Sequence, residues 1–399
     1  MKLGIVRETK SPPDRRVPLT PGQCRIAQNH FPGLEIFVQP SINRCFADDE
    51  YAREGIALSE DLRNCDVLVG IKEVDKQALL EGMTYLFFSH TAKRQAHNKT
   101  LLKEILRKKI TLIDYEYLTD EGNTRVVAFG RWAGIVGAYN GLRAYGLRYG
   151  KYELRPAWQC QRYSGLLESL EKFIPGDMKI VVTGGGRVAG GAMEILNKVG
   201  LTRRSPEEYL KGTQPEAVYC QLNPPDYVKR IDGKAFDLAH FFNFPEEYET
   251  IFLPYTRESD ILMACHFWDP RSPVFITSGD YCRPDFRIRV IADISCDVNG
   301  PLPSTLRASR IELPFYGYNP VTGGETPPFE PTSITVMAVD NLPGELPCDA
   351  SEDFGNRLME EVLPFLAGIR QGDRIEKATI AQNGRITDAF SYLNDWLAE

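Results

Sequence analysis

The sequence predicts an α/β protein of two Rossmann-like domains, each with a parallel sheet, and a cleft between them. Three observations carry this. Between Cys65 and Glu116, strand-like and helix-like segments alternate, the pattern of a parallel sheet wound by right-handed crossovers. Lys179 to Gly200, KIVVTGGGRVAGGAMEILNKVG, joins a β-branched run to a helical pattern through three glycines. A length of 399 residues suits roughly two cores.

Composition narrows the class. A charged fraction of 25% and a hydrophobic fraction of 43% are those of an ordinary globular chain. The net charge of −7 offers nucleic acid or an anionic membrane no attraction. Nine cysteines lie scattered with no C-x-x-C, so neither a disulfide framework nor a metal site is expected. The N-terminus, MKLGIVRETK, lacks the apolar core of a signal peptide, and no run approaches the ~18 apolar residues of a membrane helix. The chain reads as cytoplasmic.

Lys2 to Val6 reads as a short strand entering a polar loop, RETKSPPDRRVPLTPG. Thr20-Pro21 has the form of a helix start, with the hydroxyl as N-cap and proline in the first turn. The loop sets Arg7, Lys10, Arg15 and Arg16 against Glu8 and Asp14, usually a solvated surface unless an anion must sit there. Asp66–Ile71, Thr84–Ser89 and Ile110–Ile113 read as strands, with a short helix at Asp75–Leu80 and an amphipathic one at Arg94–Lys108. Ala133–Tyr149, rich in Gly and Ala, reads as a long helix able to bridge two domains. Ala217–Gln221, Asp260–Cys265 and Arg289–Ile294 are candidate strands of the second sheet. Residues 304–336, rich in Pro and Gly, read as a hairpin or cover. From Asp349, the spacing of Phe354, Leu358, Val362, Leu363 and Leu366 makes a helix, with Ser351 as its N-cap, that crosses back to the first domain.

The glycine stretch carries chemistry. Gly184, Gly186 and Ala189 fit G-x-G-x-x-G/A, and Arg187 and Val188 open the helix that follows. Such a turn brings a pyrophosphate against bare backbone at the positive end of a helix dipole. Ligands on parallel sheets bind at the carboxyl ends of the strands. In the first sheet those ends carry Lys72, His90 and the Asp114-Tyr115-Glu116 group. A partly desolvated lysine near other cations works as a base near neutral pH. Taken alone, a strand-end lysine usually points to solvent, and His90 is as readily a core histidine. At matching ends of adjacent strands the two read as an acid–base pair. His266 beside Cys265 is not a nucleophile pair, because adjacent strand residues face opposite sides. These parts suit hydride transfer from a carbon bearing an amine, followed by addition of water to the imine, with arginines holding substrate carboxylates.

The chain resembles the lysine-forming saccharopine dehydrogenases, and the lysine–ketoglutarate reductase half of the bifunctional aminoadipic semialdehyde synthases. The residues that carry this are RETKSPPDRRVPLTP (7–21), GIKE (70–73), FFSHTAK (87–93), LIDYE (112–116), RVVAFGRWAG (125–134), CHFWDPRSP (265–273), ADISCD (292–297) and AVDNLPGELPCDASEDFG (338–355). The broader superfamily includes alanine dehydrogenase and the transhydrogenase α subunit. The resemblance implies an NAD(P)-dependent oxidoreductase that interconverts saccharopine with L-lysine and 2-oxoglutarate. It implies Lys72 and His90 as the acid–base pair and Arg16 as the substrate-carboxylate arginine. Lys10, Glu73, Lys93, Glu116 and Arg125 fall on polar positions of the family's active site. Asp293 and Asp297 fall near the nicotinamide, and Asp340, Leu342 and Pro343 on a loop at the cofactor. The expected division is 1–130 plus 341–399 as substrate-binding catalytic domain and 131–340 as dinucleotide-binding domain, with the active site in the cleft. The glutamate-forming half of the bifunctional enzymes is expected to be absent, so that saccharopine passes to another protein. An alanine-dehydrogenase-like enzyme releasing ammonia and a non-catalytic nucleotide-binding protein are the competing readings, and the oligomeric state stays open.

Cofactor choice can be read from residues alone. An NAD-specific unit usually ends its second strand with an acid for the ribose hydroxyls, roughly 20 residues past the glycines. Here that region is GLTRRS (200–205), and Arg203, Arg204 and Ser205 suit a 2′-phosphate. NADP(H) is therefore favoured over NAD(H), with Glu207 and Glu208 as alternative acids.

Overall fold

Met1–Phe129 and Pro347–Glu399 fold together into one unit, and Gly130–Leu346 into a second. The computed structural model describes residues 1–212 and 216–398, the His97 side chain excepted. Among them, no helix is long and apolar enough to cross a membrane.

In the first unit the strands are β1 (Lys2–Ile5), β2 (Glu35–Val38), β3 (Ala57–Leu58), β4 (Val67–Lys72), β5 (Thr84–Phe88) and β6 (Thr111–Asp114). In the second they are β7 (Lys179–Thr183), β8 (Thr202–Arg204), β9 (Val218–Leu222), β10 (Val228–Arg230), β11 (Tyr248–Thr250), β12 (Ile261–Ala264), β13 (Val290–Asp293), β14 (Phe315–Tyr318), β15 (Glu325–Thr326) and β16 (Ile334–Met337). The chain then returns to the first unit as β17 (Thr379–Gln382) and β18 (Arg385–Ile386).

The first sheet runs β18-β17-β6-β5-β4-β1-β2-β3, parallel from β6 to β3 and closed at one edge by antiparallel β17 and β18. The parallel strands thus take the doubly wound order 3-2-1-4-5-6. β4 and β5 are apolar on both faces because helices cover both, as parallel sheets require. The helix Pro21–His30 starts as its sequence requires. Thr20 caps Gln23 and Gln23 reaches back to the Thr20 N–H, a complete capping box.

The second sheet runs β15-β14-β16-β13-β12-β7-β9-β8, parallel from β16 to β8. Its strand order departs from the order along the chain, for β9 lies beside β7 and β8 is at the edge. Composition explains the exchange. β9, VYCQL, is buried throughout, whereas β8, TRR, is polar on both faces and tolerates an edge. The helices Gly130–Tyr149 and Arg187–Lys198 cross almost backbone to backbone. A Cβ on Gly134 would lie 2.7 Å from the Ala192 nitrogen, so the contact needs glycine.

Three expectations change. Asp75–Leu80 is a turn and not a helix, held by the Asp75 carboxylate accepting the Gln77 N–H at 2.8 Å. Residues 304–336 do form a hairpin, β14 with β15, but they are more than a cover, since β14 and β16 extend the second sheet. The helix expected from Asp349 is Pro347–Glu361, and Ser351 lies inside it with its hydroxyl donating to the Pro347 carbonyl at 2.6 Å.

Candidate active site and glycine turn

At the carboxyl ends of β4 and β5, Lys72 is in register with Phe88, two residues before His90. Both face the same crowded edge. Burial, reinforced by Arg16 and Lys10, holds the Lys72 ammonium below the ordinary lysine range against the pull of Asp14 and Glu73. Burial likewise lowers His90 to about 4, helped by Lys72 and Lys93 and opposed by Glu116 and Glu73. His90 is therefore a neutral imidazole at neutral pH. Its backbone is left-handed (φ 53°), turning the chain sharply out of β5, and its ring stacks on Phe88 at 6.4 Å.

Carboxylates hold the cations around this edge. Lys10 donates to Glu73 at 2.9 Å and Lys93 to Glu116 at 2.8 Å, while Arg125 lies 3.4 Å from the same Glu116 oxygen. Burial would raise Glu73 and Glu116, but Lys10 and Lys93 outweigh it and keep both carboxylates below their usual range. Asp114 accepts from the Ser89 N–H at 3.0 Å, the Ser89 hydroxyl at 2.5 Å and the Glu116 N–H at 2.8 Å, tying the end of β5 to the end of β6. Burial pushes its carboxyl up to about 6 against those donors.

Arg16 sits elsewhere than a solvent-facing clamp. It is 3% exposed, lies over the Phe129 ring at 4.1 Å, and gives Nε and Nη2 to Asp14 at 2.9 and 2.6 Å. Burial acts to raise Asp14, and the Arg16 guanidinium overrides it, holding the carboxylate well below the usual range. Asp14 was legible only as one charge of a loop, and no spacing in the sequence marked it as buried. More exposed are Lys10, Lys93 and Arg125.

The glycine turn of the second unit is built for close approach to backbone. Gly184 has φ +92°, and a Cβ there would meet the Cys265 carbonyl oxygen at 2.7 Å. Gly186 is the N-cap of Arg187–Lys198 and brings no side chain to its N–H groups, while Ala189 is fully buried where helix meets sheet. Val188 opens the same helix with Arg187. Beside the turn, His266 is 5% exposed with Nδ1 at 2.6 Å from the Thr183 hydroxyl, and its buried Nε2 has no partner among the described residues. Burial lowers it to about 3, so it too is neutral. A bare turn and an uncapped helix start beside a neutral His266 fit a dinucleotide pyrophosphate.

Around this turn the sequence-predicted residues separate. Because β9 is the neighbour of β7, the strand end beside the turn is Gln221-Leu222-Asn223 and not Arg204-Ser205. Gln221 Nε2 donates to the Gly184 carbonyl at 2.9 Å and to Asn223 Oδ1 at 3.0 Å, and Gln221 Oε1 accepts from Arg203 Nη2 at 2.7 Å. Arg204 turns to Glu216 at 2.7 Å, Ser205 caps a short helix against Glu208, and Glu207 pairs with Lys211. Asp293 is fully buried and shapes its own loop, accepting from Ser295 at 2.7 Å, the Cys296 N–H at 3.1 Å and Thr305 at 2.5 Å. Leu342 and Pro343 are buried in a 3-10 turn, Asp340 is exposed and Asp297 is half-buried.

Comparison with known proteins agrees with this architecture. Residues 4–136 match the family model described as alanine dehydrogenase/PNT, N-terminal domain. An α-aminoadipic semialdehyde synthase of Arabidopsis thaliana is 30% identical over 440 residues, 98% of this chain and 41% of that protein. An NAD(+), L-lysine-forming saccharopine dehydrogenase of Emericella nidulans is 26% identical over 382 residues, 91% of each chain. The chain spans less than half the length of the semialdehyde synthases it matches. A solved L-alanine dehydrogenase shares the fold at TM-score 0.66 and 18% identity over the whole of both chains. The chain is thus similar along its length to saccharopine dehydrogenases and aminoadipic semialdehyde synthases, which are oxidoreductases, and its residues 4–136 carry the N-terminal domain of the alanine dehydrogenase/PNT family.

Proposed function

We propose that this chain interconverts saccharopine with L-lysine and 2-oxoglutarate, using NADP(H) in preference to NAD(H). The observation that carries the reading is the pair Lys72 and His90 on adjacent strand ends, both biased towards their neutral forms. A bound nicotinamide supplies the hydride acceptor for the carbon bearing the secondary amine. Lys72, kept short of its ordinary proton affinity, takes the amine proton and returns it to the nitrogen as water adds to the imine, neutral His90 taking a proton from that water. His90 then gives its proton to the nitrogen as the C–N bond breaks and the hydroxyl proton passes to Lys72, leaving lysine and 2-oxoglutarate. The reverse order of proton transfers serves condensation. Lys10, Lys93 and Arg125 are the accessible cations for substrate carboxylates, and Arg16, oriented by Asp14, contributes fixed positive charge behind them.

The cofactor preference is supported by the strand end beside the glycine turn. It presents the amides Gln221 and Asn223, Gln221 holds Arg203, and the acid that follows, Asp226, is turned to the Asn223 N–H at 2.8 Å. Arg203 is the cation left to meet a 2′-phosphate once Arg204 and Ser205 are engaged elsewhere.

The test is direct. Protein is mixed with L-lysine, 2-oxoglutarate and either reduced cofactor, and the nicotinamide absorbance is followed. Oxidation of NADPH that requires both substrates is expected. Faster reaction with pyruvate and ammonia would replace this reading by an alanine-dehydrogenase-like one, and a strong preference for NADH would overturn the cofactor assignment.

A further inference from the structure

Glu8 lies in the loop after β1 and has no part in the chemistry proposed above. The residue is half-buried, and its carboxyl group, enclosed by protein, accepts two consecutive backbone N–H groups, Ile71 at 2.7 Å and Lys72 at 3.0 Å. In a regular strand successive N–H groups point to opposite edges. Here the pairing of β4 with β5 steps from Val69–Leu86 to Lys72–Phe88, three residues against two. That is a bulge, and it turns both N–H groups to one side.

The bulge occurs where β4 loses its other neighbour. β1 pairs with β4 as far as Ile5–Val69, the Val6 N–H still reaches the Val69 carbonyl at 3.0 Å, and the chain then leaves the sheet. The Glu8 carboxyl group takes up both N–H groups, only one of which a longer β1 would have matched. Gly70 makes the approach possible, since a Cβ there would lie 2.9 Å from Val6 Cγ2 and 3.4 Å from Glu8 Oε1.

We infer that Glu8 is a positioning residue for Lys72, its carboxylate fixing the bulge from which the Lys72 side chain leaves the strand. The inference rests on the reading of Lys72 as an acid–base group. The enclosure has a cost that a purely decorative carboxylate would not bear. Burial and the Asp14 charge push the Glu8 carboxyl up to about 8, against the two N–H groups and Arg16. The charged and titratable groups facing Lys72 are Arg16, Lys10, Asp14, Glu73 and His90.

Glu8→Gln accepts through one oxygen and turns an NH2 group on the second donor, so it breaks one of the two bonds. The readout is the Lys72 titration, followed by NMR on protein labelled at lysine Cε and assigned by loss of the resonance in Lys72→Met. In wild type, Lys72 titrates below the ordinary lysine range. In Glu8→Gln the bulge loosens, Lys72 gains water, and its titration moves up towards that range. Above about pH 8, where the Glu8 carboxyl is ionised, loss of its negative charge alone would move the Lys72 titration down, so the sign separates position from charge. Turnover falls on the order of 10²-fold with KM and cofactor affinity little changed, the size expected for a displaced reacting group. Glu8→Asp keeps the charge but loses the reach to span both donors, and moves Lys72 the same way. An unmoved or lowered titration in a folded variant would overturn the assignment. Failure of both variants to fold would also overturn it, making Glu8 a residue of the fold alone. Should lysine and 2-oxoglutarate prove not to react, the functional reading falls while the titration still decides the role of Glu8.

Discussion

The carboxyl-end edges of the two sheets are built from opposite materials. In the first unit the edge is ionic, with Lys72, His90, Asp114 and Glu116 on three neighbouring strands and Lys10, Asp14 and Arg16 in the loop beside them. In the second unit the glycine turn is surrounded mainly by backbone and neutral dipoles, with Gly184, the uncapped helix start at Gly186, the amides Gln221 and Asn223, and a neutral His266, while Arg203 is held by Gln221 and Asp293 is buried in its own loop. Both lie on doubly wound parallel sheets, so the fold does not account for the difference. What separates them is the task each composition can perform. Crowded charges in a desolvated setting shift proton affinities, and bare N–H groups at a helix start receive phosphate.

The largest effects should come from the ionic edge. Lys72→Met and His90→Gln are each expected to slow turnover by ~10²–10⁴-fold with cofactor affinity unchanged, and the double variant to lose less than the product. Near-wild-type turnover in Lys72→Met, measured beside melting temperature and cofactor affinity, would contradict the acid–base role. Arg16→Lys keeps the charge behind the accessible cations but loses its fixed orientation on Asp14, so it should raise KM for 2-oxoglutarate by no more than ~10-fold. It should also lower Tm, because buried Asp14 loses one of its two guanidinium donors. An unchanged KM with a lowered Tm would leave Arg16 as a support for the loop.

Smaller effects should mark the neutral edge. Gly184→Ala forces a side chain into a left-handed backbone facing the Cys265 carbonyl, and is expected to cost about 1–3 kcal/mol of stability and to weaken cofactor binding. Asn223→Asp places an acid where ribose hydroxyls would be met, and should shift the ratio of NADPH to NADH affinity towards NADH by roughly tenfold, about 1.4 kcal/mol. Arg203→Ala should weaken NADPH alone by a similar factor. Equal losses for both cofactors in either variant would move the ribose contact to another strand end.

The elements legible in the sequence were those whose signal is local. Apolar strands bounded by charges, the Thr20 cap and the glycine turn read correctly because each depends on a few neighbouring residues. Lys72 and His90 were legible as a pair because strands joined by a crossover end side by side. The exchange of β8 and β9 was less visible, since strand order depends on which segment can be buried on both faces. VYCQL against TRR was the available signal. The capture of Arg16 by Asp14 and the seating of Glu8 beneath Gly70 were not legible, because a loop charge looks the same in sequence whether it is solvated or enclosed. The helix expected at Asp75–Leu80 failed for a local reason, as Asp75 caps its own turn and leaves too few residues for a helix to nucleate.

The pH dependence of kcat/KM for wild type, Lys72→Met and His90→Gln tests the acid–base account most directly. His90 sheds its proton near 4 because burial and two nearby ammonium groups disfavour the imidazolium, and Lys72 sheds its own below the ordinary lysine range. The wild-type profile should show two ionisations, with His90→Gln losing the acidic one and Lys72→Met the other. Profiles that keep both ionisations in either variant would contradict the account.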